Sequence, residues 1–278
     1  MNGHSGQPRQ VSTKISSLTN ERIKAIRALE MRKERKETGL FVAEGASILV
    51  TARDQGFAPE TLVHLAGAAE SGIAKGLLAW AAKTRAEVLE VSEAVLGKLA
   101  AKDNPQTMLG VFRQRWSPLP EPRSVPAGSC WVALEDVRDP GNLGTILRTA
   151  DAVGAGGVVL VGTCCDPYSR ECVRATMGSI FTVPITRATR EEFMAWRAGW
   201  SGDVIGTHLD GRADFRAVTY REPVLLVMGS EGPGLSVEMA AACSRLVKIP
   251  MAGSLDSLNL AVATALALYQ IRGSHLRL

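Results

Sequence analysis

Apolar residues in the second half of the chain come in short runs separated by segments with helical periodicity. The runs lie at residues 131–134, 158–161, 183–185, 204–206, 224–228 and 246–249. Helical patterns lie between most of them, at 143–153, 190–200, 237–242 and 258–271. Short buried strands that alternate with helices are typical of a parallel sheet covered on both faces. The pattern predicts an α/β domain over 128–278, with ligands bound beyond the carboxyl ends of its strands.

The first half of the chain shows the same two patterns in a smaller unit. A basic amphipathic helix is predicted at 20–37, and the remaining helices and strands at 40–43, 45–55, 62–65, 72–83, 88–91 and 108–112. These elements predict a small α/β sandwich over 14–115, preceded by a polar, disordered tail at 1–13. Four prolines in residues 117–126, SPLPEPRSVP, can continue neither a helix nor a central strand. We therefore expect a linker at 116–127.

Composition narrows the class of protein. Hydrophobic residues make up 46% and charged residues 22% of the 278 residues, as in globular proteins with a full core. The chain has no apolar run of about 18 residues and no signal-peptide pattern at its start, so we expect no membrane contact and a cytoplasmic location. Five scattered cysteines do not form a disulfide framework, and the dispersed histidines lack the spacing of a metal site.

Positive charge is concentrated in one segment. The net charge of +4 is compatible with nucleic-acid binding but does not require it. Residues 22–36 carry many more basic than acidic side chains, a pattern that fits either a solvated helix face or a helix that contacts phosphates. The candidate RNA-binding residues are Arg22, Lys24, Arg32, Lys33, Arg35 and Lys36.

Three segments that follow predicted strands depart from simple core patterning. The first, 136–150, contains a Pro-Gly turn, Asn142 as a candidate helix N-cap, and Arg148 on the following helix, which suits an anion. The second, 229–236, reads GSEGPGLS, and its glycines let the backbone approach a ligand closely. The third, 249–259, brings small and polar residues to a helix start. Taken singly, each is explained equally well by helix capping or by a plain connection between elements.

Taken together, the three segments resemble the signatures of the SpoU (TrmH) family of RNA methyltransferases, in the SPOUT superfamily. The matching strings are NLGTILRTA at 142–150, LVMGSEGPGL at 226–235 and IPMAGSLDSLNLAVA at 249–263, in the order and spacing of the family. Residues 20–27 and 39–45 resemble, less specifically, the substrate-binding domain of the family, which is similar to a ribosomal-protein fold.

The resemblance implies a fold and an activity. Family members have a parallel sheet with a deep trefoil knot, a feature too rare to propose from patterning alone. They act as homodimers, with the active site near the interface, and transfer a methyl group from S-adenosylmethionine to a ribose 2′-hydroxyl of RNA, on guanosine or another nucleoside. The apolar segment 258–271 is a candidate interface element.

The resemblance also implies roles for individual residues. The implied catalytic residues are Arg148, Asn142, Glu231, Ser257 and Asn259. The implied cofactor-binding residues are His208, Met228, Gly229, Ser230, Gly234, Ile249, Met251 and Leu258. Arg148 would place the acceptor phosphate and stabilise the forming oxyanion, because a guanidinium with a pKa above about 12 is a poor base.

Several alternatives stay open at this level. A 23S-type ribosomal RNA is favoured as substrate, with transfer RNA as the alternative, and the target nucleotide is not specified. The same fold serves methyltransferases that act on a base nitrogen, and a non-catalytic RNA-binding or assembly protein would keep the fold. A nicotinamide-dependent enzyme is disfavoured, because the glycine pattern near 154–157 is broken by Val159.

Overall fold

Strands from the two halves of the chain form two separate sheets in the computed structural model, which describes residues 12–70, 72–100 and 106–277. The chain divides into two compact units between Gln114 and Arg115. A disordered tail was expected at 1–13. Residues 1–11 of it lie outside the described part of the chain, and the first strand begins at Thr13. Among the helices of the described part, none combines the length and the apolar character needed to cross a membrane.

The first unit is built on a five-stranded mixed sheet. Its elements are β1 (Thr13–Ile15), α1 (Glu21–Ala28), α2 (Arg32–Thr38), β2 (Leu40–Glu44), α3 (Ala46–Asp54), β3 (Pro59–Leu65), α4 (Gly72–Thr84), β4 (Glu87–Val91), α5 (Glu93–Ala100) and β5 (Met108–Arg113). The strand order is β1-β4-β3-β5-β2, in which β5 runs antiparallel to both of its neighbours. This half contains both helices and strands. β1 and α5 were not predicted, because one is three residues long and the other is short and interrupted by Gly97.

A cluster of buried apolar side chains joins this sheet to two of its helices. Val42 of β2, Val63 of β3 and Leu89 of β4 belong to one buried cluster with Ile23 of α1 and Leu96 of α5. All five side chains are almost completely buried. Removing such side chains from water is the main favourable contribution to folding.

The single basic helix predicted at 20–37 is wrong, because the chain breaks between α1 and α2. Arg35 is only 4% exposed, and its guanidinium donates hydrogen bonds to the carbonyl oxygens of Leu29 (2.7 Å) and Glu30 (2.8 Å). These carbonyls follow the end of α1, where helical partners are missing. The charge of Arg35 therefore closes the turn between the helices, and its assignment as an RNA-binding residue is incorrect.

The second unit is built on a seven-stranded sheet in which every pair of neighbours is parallel. Its elements are β6 (Cys130–Glu135), α6 (Pro140–Ala152), β7 (Gly157–Val161), α7 (Arg170–Thr176), β8 (Ile185–Ala188), α8 (Arg190–Arg197), β9 (Val204–Thr207), β10 (Ala213–Asp214), β11 (Val224–Met228), α9 (Val237–Ala242), β12 (Arg245–Lys248) and α10 (Leu260–Arg272). The strand order is β10-β12-β9-β11-β6-β7-β8. The predicted parallel sheet is confirmed.

Two local predictions differ from the structure of this unit. The strand expected at 183–185 starts only at Ile185, because Pro184 has no amide hydrogen and Val183 instead donates to Ser179 O, next to the short 3₁₀ helix Ser179–Phe181. The helix α7 was not predicted. Its seven residues include the buried Arg170, so its sequence lacks a clear apolar stripe.

The proline-rich segment expected to be a linker packs against the second unit. Ser117 N donates to Ile185 O (2.9 Å), and the Trp196 indole donates to Pro120 O (2.6 Å). Val125 is 7% exposed and joins the aromatic core that contains Trp196. Residues 117–126 therefore form part of this unit instead of a free spacer.

We predict that Arg35→Met destabilises the protein by about 1–3 kcal/mol, because two carbonyl groups at the end of α1 lose a charged donor. The measurement is urea unfolding followed by circular dichroism. Arg32→Met is the matched control, since Arg32 is an exposed residue of the same helix and its change should alter stability by less than about 0.5 kcal/mol. Equal stability of the two variants would contradict the structural role of Arg35.

Candidate active site

The carboxyl ends of three neighbouring strands open into a cleft of about 560 Å³. β9, β11 and β12 end at its floor, and the start of α10 closes one side. This is where a parallel sheet was expected to bind its ligand. All eight residues predicted to bind a cofactor line the cleft: His208, Met228, Gly229, Ser230, Gly234, Ile249, Met251 and Leu258.

The glycine-rich loop after β11 folds back on itself to form one wall. Ser230 and Gly234 exchange two backbone hydrogen bonds of 3.0 and 3.1 Å, and Gly232 and Gly234 adopt positive φ values of 94° and 73°. A Cβ atom at Gly229 would lie 2.0 Å from the carbonyl carbon of Gly234, so only glycine fits. Ser236 caps α9 by accepting from Met239 N. The loop therefore offers a bare backbone surface to the cleft.

Polar side chains from the three motif segments meet at the mouth of the cleft. Asn259 Nδ2 donates to Asn142 Oδ1 (2.9 Å), and Asn142 Nδ2 donates to Glu231 Oε1 (3.0 Å). Glu231 also accepts from the amides of Arg138 (3.2 Å) and Asp139 (3.4 Å). We call Glu231, Asn142 and Asn259 the polar triad. It joins segments that are 89 and 117 residues apart in the chain.

The two asparagines of the polar triad differ in their helical positions. Asn142 is not the N-cap of α6, because Asp139 occupies that position and accepts from Asn142 N (2.6 Å). Its side chain is thereby free to bridge the other two members. Asn259 is the N-cap of α10, where its Oδ1 accepts from the amides of Ala261 and Val262 while its Nδ2 donates to Asn142. Capping and site formation are therefore performed by one side chain.

Hydrogen bonding determines the charge state of Glu231. Partial burial by itself raises the pKa of its carboxyl group. The hydrogen bonds from Asn142 and from the backbone amides of Glu231, Arg138 and Asp139 outweigh that effect, so the pKa is lowered below its ordinary value. Glu231 is therefore a carboxylate at neutral pH, and the Asn142 amide must present its NH₂ group to it and its oxygen to Asn259.

The remaining predicted catalytic residues are placed differently. Ser257 lines the cleft together with Glu231 and Asn259. Arg148 is exposed on α6 and is not among the residues that line the cleft. The structure of one chain thus brings the polar triad and Ser257 together but leaves Arg148 outside.

The cleft contains residues that the sequence analysis did not single out. Thr207 and Lys248 are the last residues of β9 and β12, and Asp256 lies in the loop before α10. Thr207 Oγ1 donates to Met228 Sδ (3.3 Å). Their position at the carboxyl ends of predicted strands was the signal that could have identified the first two.

The basic segment lies in the first unit, on α1 and α2. Arg22, Lys24, Arg32, Lys33 and Lys36 are exposed, in contrast to Arg35. Three of them have acidic neighbours: Arg22 with Glu87 (2.5 Å), Lys24 with Glu21 (2.8 Å) and Lys33 with Glu37 (3.8 Å). Exposed pairs of this kind are weak and exchange readily with other anions. Over the described parts of both units, no group of three or more His, Cys, Asp or Glu side chains is arranged to hold a metal ion.

Comparison with known proteins identifies the class. Residues 129–269 match the SpoU rRNA Methylase family, and residues 20–110 match the MRM3-like substrate binding domain. The first match spans half of the chain and contains the three motif segments. The protein belongs to the SpoU rRNA methylase family.

Relatives match both units. The AdoMet-bound rRNA methyltransferase from Sinorhizobium meliloti superposes with a TM-score of 0.88 at 45% identity, over 96% of this chain and 99% of that one. The 23S rRNA (guanosine(2553)-2′-O)-methyltransferase RlmP of Bacillus subtilis is 28% identical over 93% of this chain and 99% of its own length. The 23S rRNA (uridine(2479)-2′-O)-methyltransferase of Streptomyces viridochromogenes is 31% identical over 86% of this chain and 84% of its own.

We predict that Asn142→Ala raises the pKa of Glu231 towards its ordinary value, because a hydrogen bond to the carboxylate is lost. Since the folded-state pKa of Glu231 is depressed, its stabilising contribution is present above the unfolded-state pKa and is lost as pH falls through the folded-state value. Titration of the ¹³C-labelled carboxyl group by NMR measures the change. A Glu231 pKa that stays equally low in the variant would show that Asn142 does not hold the carboxylate.

Proposed function

We propose that this protein is an S-adenosylmethionine-dependent RNA methyltransferase that modifies a ribose 2′-hydroxyl in 23S-type ribosomal RNA. The observation that carries the proposal is the polar triad, in which one residue from each family motif meets the others at the mouth of the cleft. The ribose as acceptor agrees with the two relatives named as 2′-O-methyltransferases. Because those relatives act on guanosine and on uridine, the proposal extends to the ribose and leaves the base open.

The chemistry of the cleft suits S-adenosylmethionine. Met228, Ile249, Met251 and Leu258 offer apolar contact for an adenine ring, and the backbone of the glycine-rich loop offers amide and carbonyl groups. A volume of about 560 Å³ lies within the range of small-molecule sites. When bound, the cofactor supplies an electrophilic methyl group.

The residues of this chain would prepare the acceptor for an in-line displacement. Glu231 fixes the orientation of the Asn142 amide, which in turn orients Asn259, so that the polar triad presents a rigid set of dipoles to the ribose. Arg148 holds the phosphate next to the acceptor and stabilises the negative charge that forms on the ribose oxygen. In this scheme the hydroxyl proton passes to water and not to Arg148.

A homodimer is part of the proposal. Three large apolar side chains form one stripe on α10: Val262 is 49%, Leu266 42% and Tyr269 52% exposed. The helix α10 packs beside α6. A second copy that covers this apolar stripe would bury surface that is unfavourable in water. Arg148 on α6 would then lie at the subunit contact, which explains why it stays outside the cleft of its own chain.

We further propose that the chain of the second unit forms a trefoil knot. β12 lies between β9 and β10, although the chain reaches it only after β10 and β11. The segment that carries β12 into this position and leads on to α10 would pass through the connection from β9 to β11. Such threading is very rare, and the proposal is supported by family membership together with this strand order.

The first unit is proposed as the RNA-binding domain, with a ribosomal-protein-like fold. Its exposed basic residues on α1 and α2 would contact phosphates away from the target nucleotide, and the match to a substrate binding domain supports this role. A cytoplasmic location belongs to the same proposal.

The test is a methylation assay with purified protein, tritiated S-adenosylmethionine, and ribosomal and transfer RNA pools from a strain that lacks the gene. We expect label in ribosomal RNA at one alkali-resistant phosphodiester, the signature of ribose methylation. Label confined to transfer RNA, or on a base, would replace the proposed substrate or acceptor. Absence of cofactor binding by calorimetry would favour a non-catalytic RNA-binding protein.

We predict that Arg148→Ala lowers the turnover number at least about a hundredfold, because charge stabilisation at the forming oxyanion is lost. Single-turnover kinetics measure the loss, and cofactor affinity measured by calorimetry should stay near that of the wild type. Arg174→Ala, which removes an arginine of α7, serves as the control. Near-normal turnover of Arg148→Ala would refute the assigned role.

We predict that the double charge reversal Lys33→Glu and Lys36→Glu weakens RNA binding roughly tenfold at low salt and reduces the salt dependence of binding by about two phosphate contacts. Filter binding over a range of salt concentrations gives both values. Lys75→Glu with Lys83→Glu, on α4 of the same unit, makes the same change in charge at exposed positions elsewhere. Equal losses for the two double variants would indicate a general charge effect and not a specific RNA-binding face.

A further inference from the structure

A buried carboxylate lies directly behind the cofactor cleft without lining it. Glu135 is the last residue of β6 and is only 2% exposed. Its Oε2 accepts from Ser236 N (2.8 Å) and its Oε1 from Ser236 Oγ (2.7 Å). A charge in this position is costly unless it is paired and hydrogen-bonded, so the arrangement requires compensation nearby.

Arg190 at the start of α8 supplies the compensating charge. Its Nη2 lies 3.3 Å from Glu135 Oε1 and is also hydrogen-bonded to Asp136. Asp136 itself has a positive φ of 51° and accepts from Thr163 N (2.6 Å). The chain after β6 is therefore held by several independent contacts, and Glu135 has a fixed position relative to the sheet.

Ser236 is the point at which this anchor reaches the glycine-rich loop. The loop begins at Gly229, immediately after β11, and β11 pairs with β6 so that Met228 lies beside Leu134. It ends at Ser236, whose amide and hydroxyl hydrogens both point to Glu135. One end of the loop is thus fixed by the sheet and the other by Glu135, while the residues between them form the cleft wall.

We propose that Glu135 is a positioning residue for cofactor binding. It acts through Ser236 and holds the loop 229–236 in the position that cofactor binding requires. This inference rests on the proposed function. Without the Glu135–Ser236 contact, the loop would keep its internal Ser230–Gly234 hydrogen bonds but pivot about Gly229, and the backbone groups facing the cleft would be presented in many positions. Ordering these groups on binding would then cost free energy, and the affinity for the cofactor would fall.

The test compares the cofactor affinities of Glu135→Gln, Ser236→Ala and the double variant in the full chain. Ser236 N and Ser236 Oγ bond to different oxygens of Glu135, and in Glu135→Gln one of those oxygens becomes an NH₂ group that cannot accept, so one of the two hydrogen bonds is lost. We expect the Kd for S-adenosylmethionine, measured by calorimetry, to rise about tenfold for Glu135→Gln and about threefold for Ser236→Ala. The double variant should raise the Kd by less than the product of the two single effects, because both changes act on the contact between Glu135 and Ser236.

The matched controls are Asp151→Asn and Ser179→Ala, which alter another partly buried hydrogen bond between a serine and a carboxylate in the same unit (2.7 Å). They should lower the thermal midpoint to a similar extent without changing the Kd. Wild-type Kd values in Glu135→Gln and Ser236→Ala, or a shift of equal size in the controls, would overturn the inference. If Glu135→Gln does not fold, the Kd of Ser236→Ala still tests the inference. This variant keeps the amide hydrogen bond to Glu135, so we expect it to fold. Failure of the wild type to bind the cofactor would instead refute the proposed function, and the inference with it.

Discussion

The contact between Glu231, Asn142 and Asn259 is the constraint on which the site depends. Each of these residues comes from a different strand–helix connection, and each connection is held in place by its own contacts: Asp139 at the start of α6, the paired glycine-rich loop after β11, and the cap of α10. Because the three connections emerge at the same edge of a parallel sheet, their side chains converge without any further device. The ionised state of Glu231 then fixes the direction of every hydrogen bond in the polar triad.

The same principle of anchoring recurs one layer further from the cleft. Glu135 and Arg190 form a charged pair at the end of β6 that holds the far end of the glycine-rich loop. A loop whose glycines are needed for close approach is flexible by composition, so its shape must come from what its ends are tied to. The glycine-rich loop that forms one wall of the cleft and the polar triad are therefore both held in place by the same edge of the sheet.

The first unit illustrates how a charge can be misjudged from sequence. Six basic residues on a predicted helix cannot be told apart by their local sequence. In the structure, however, Arg35 is buried and donates to the carbonyls at the end of α1, while the other five are exposed. The helix break that makes this possible contains no proline or glycine, so nothing in the local pattern marks it. Only the exposed members are available for the proposed contact with RNA phosphates.

By itself, the sequence determined the alternation of strands and helices and the parallel sheet, because apolar periodicity is a local property. The residues that line the cleft were named only through the resemblance of three motif segments to a known family. Tertiary structure alone decided that Asn142 bridges Glu231 and Asn259 instead of capping α6, since its partners lie 89 and 117 residues away. It also decided that Arg35 is buried, that Glu135 holds Ser236, and that Arg148 stays outside the cleft. Each of these depends on which distant segments the sheet brings together, and that information is not contained in the spacing of residues along one segment.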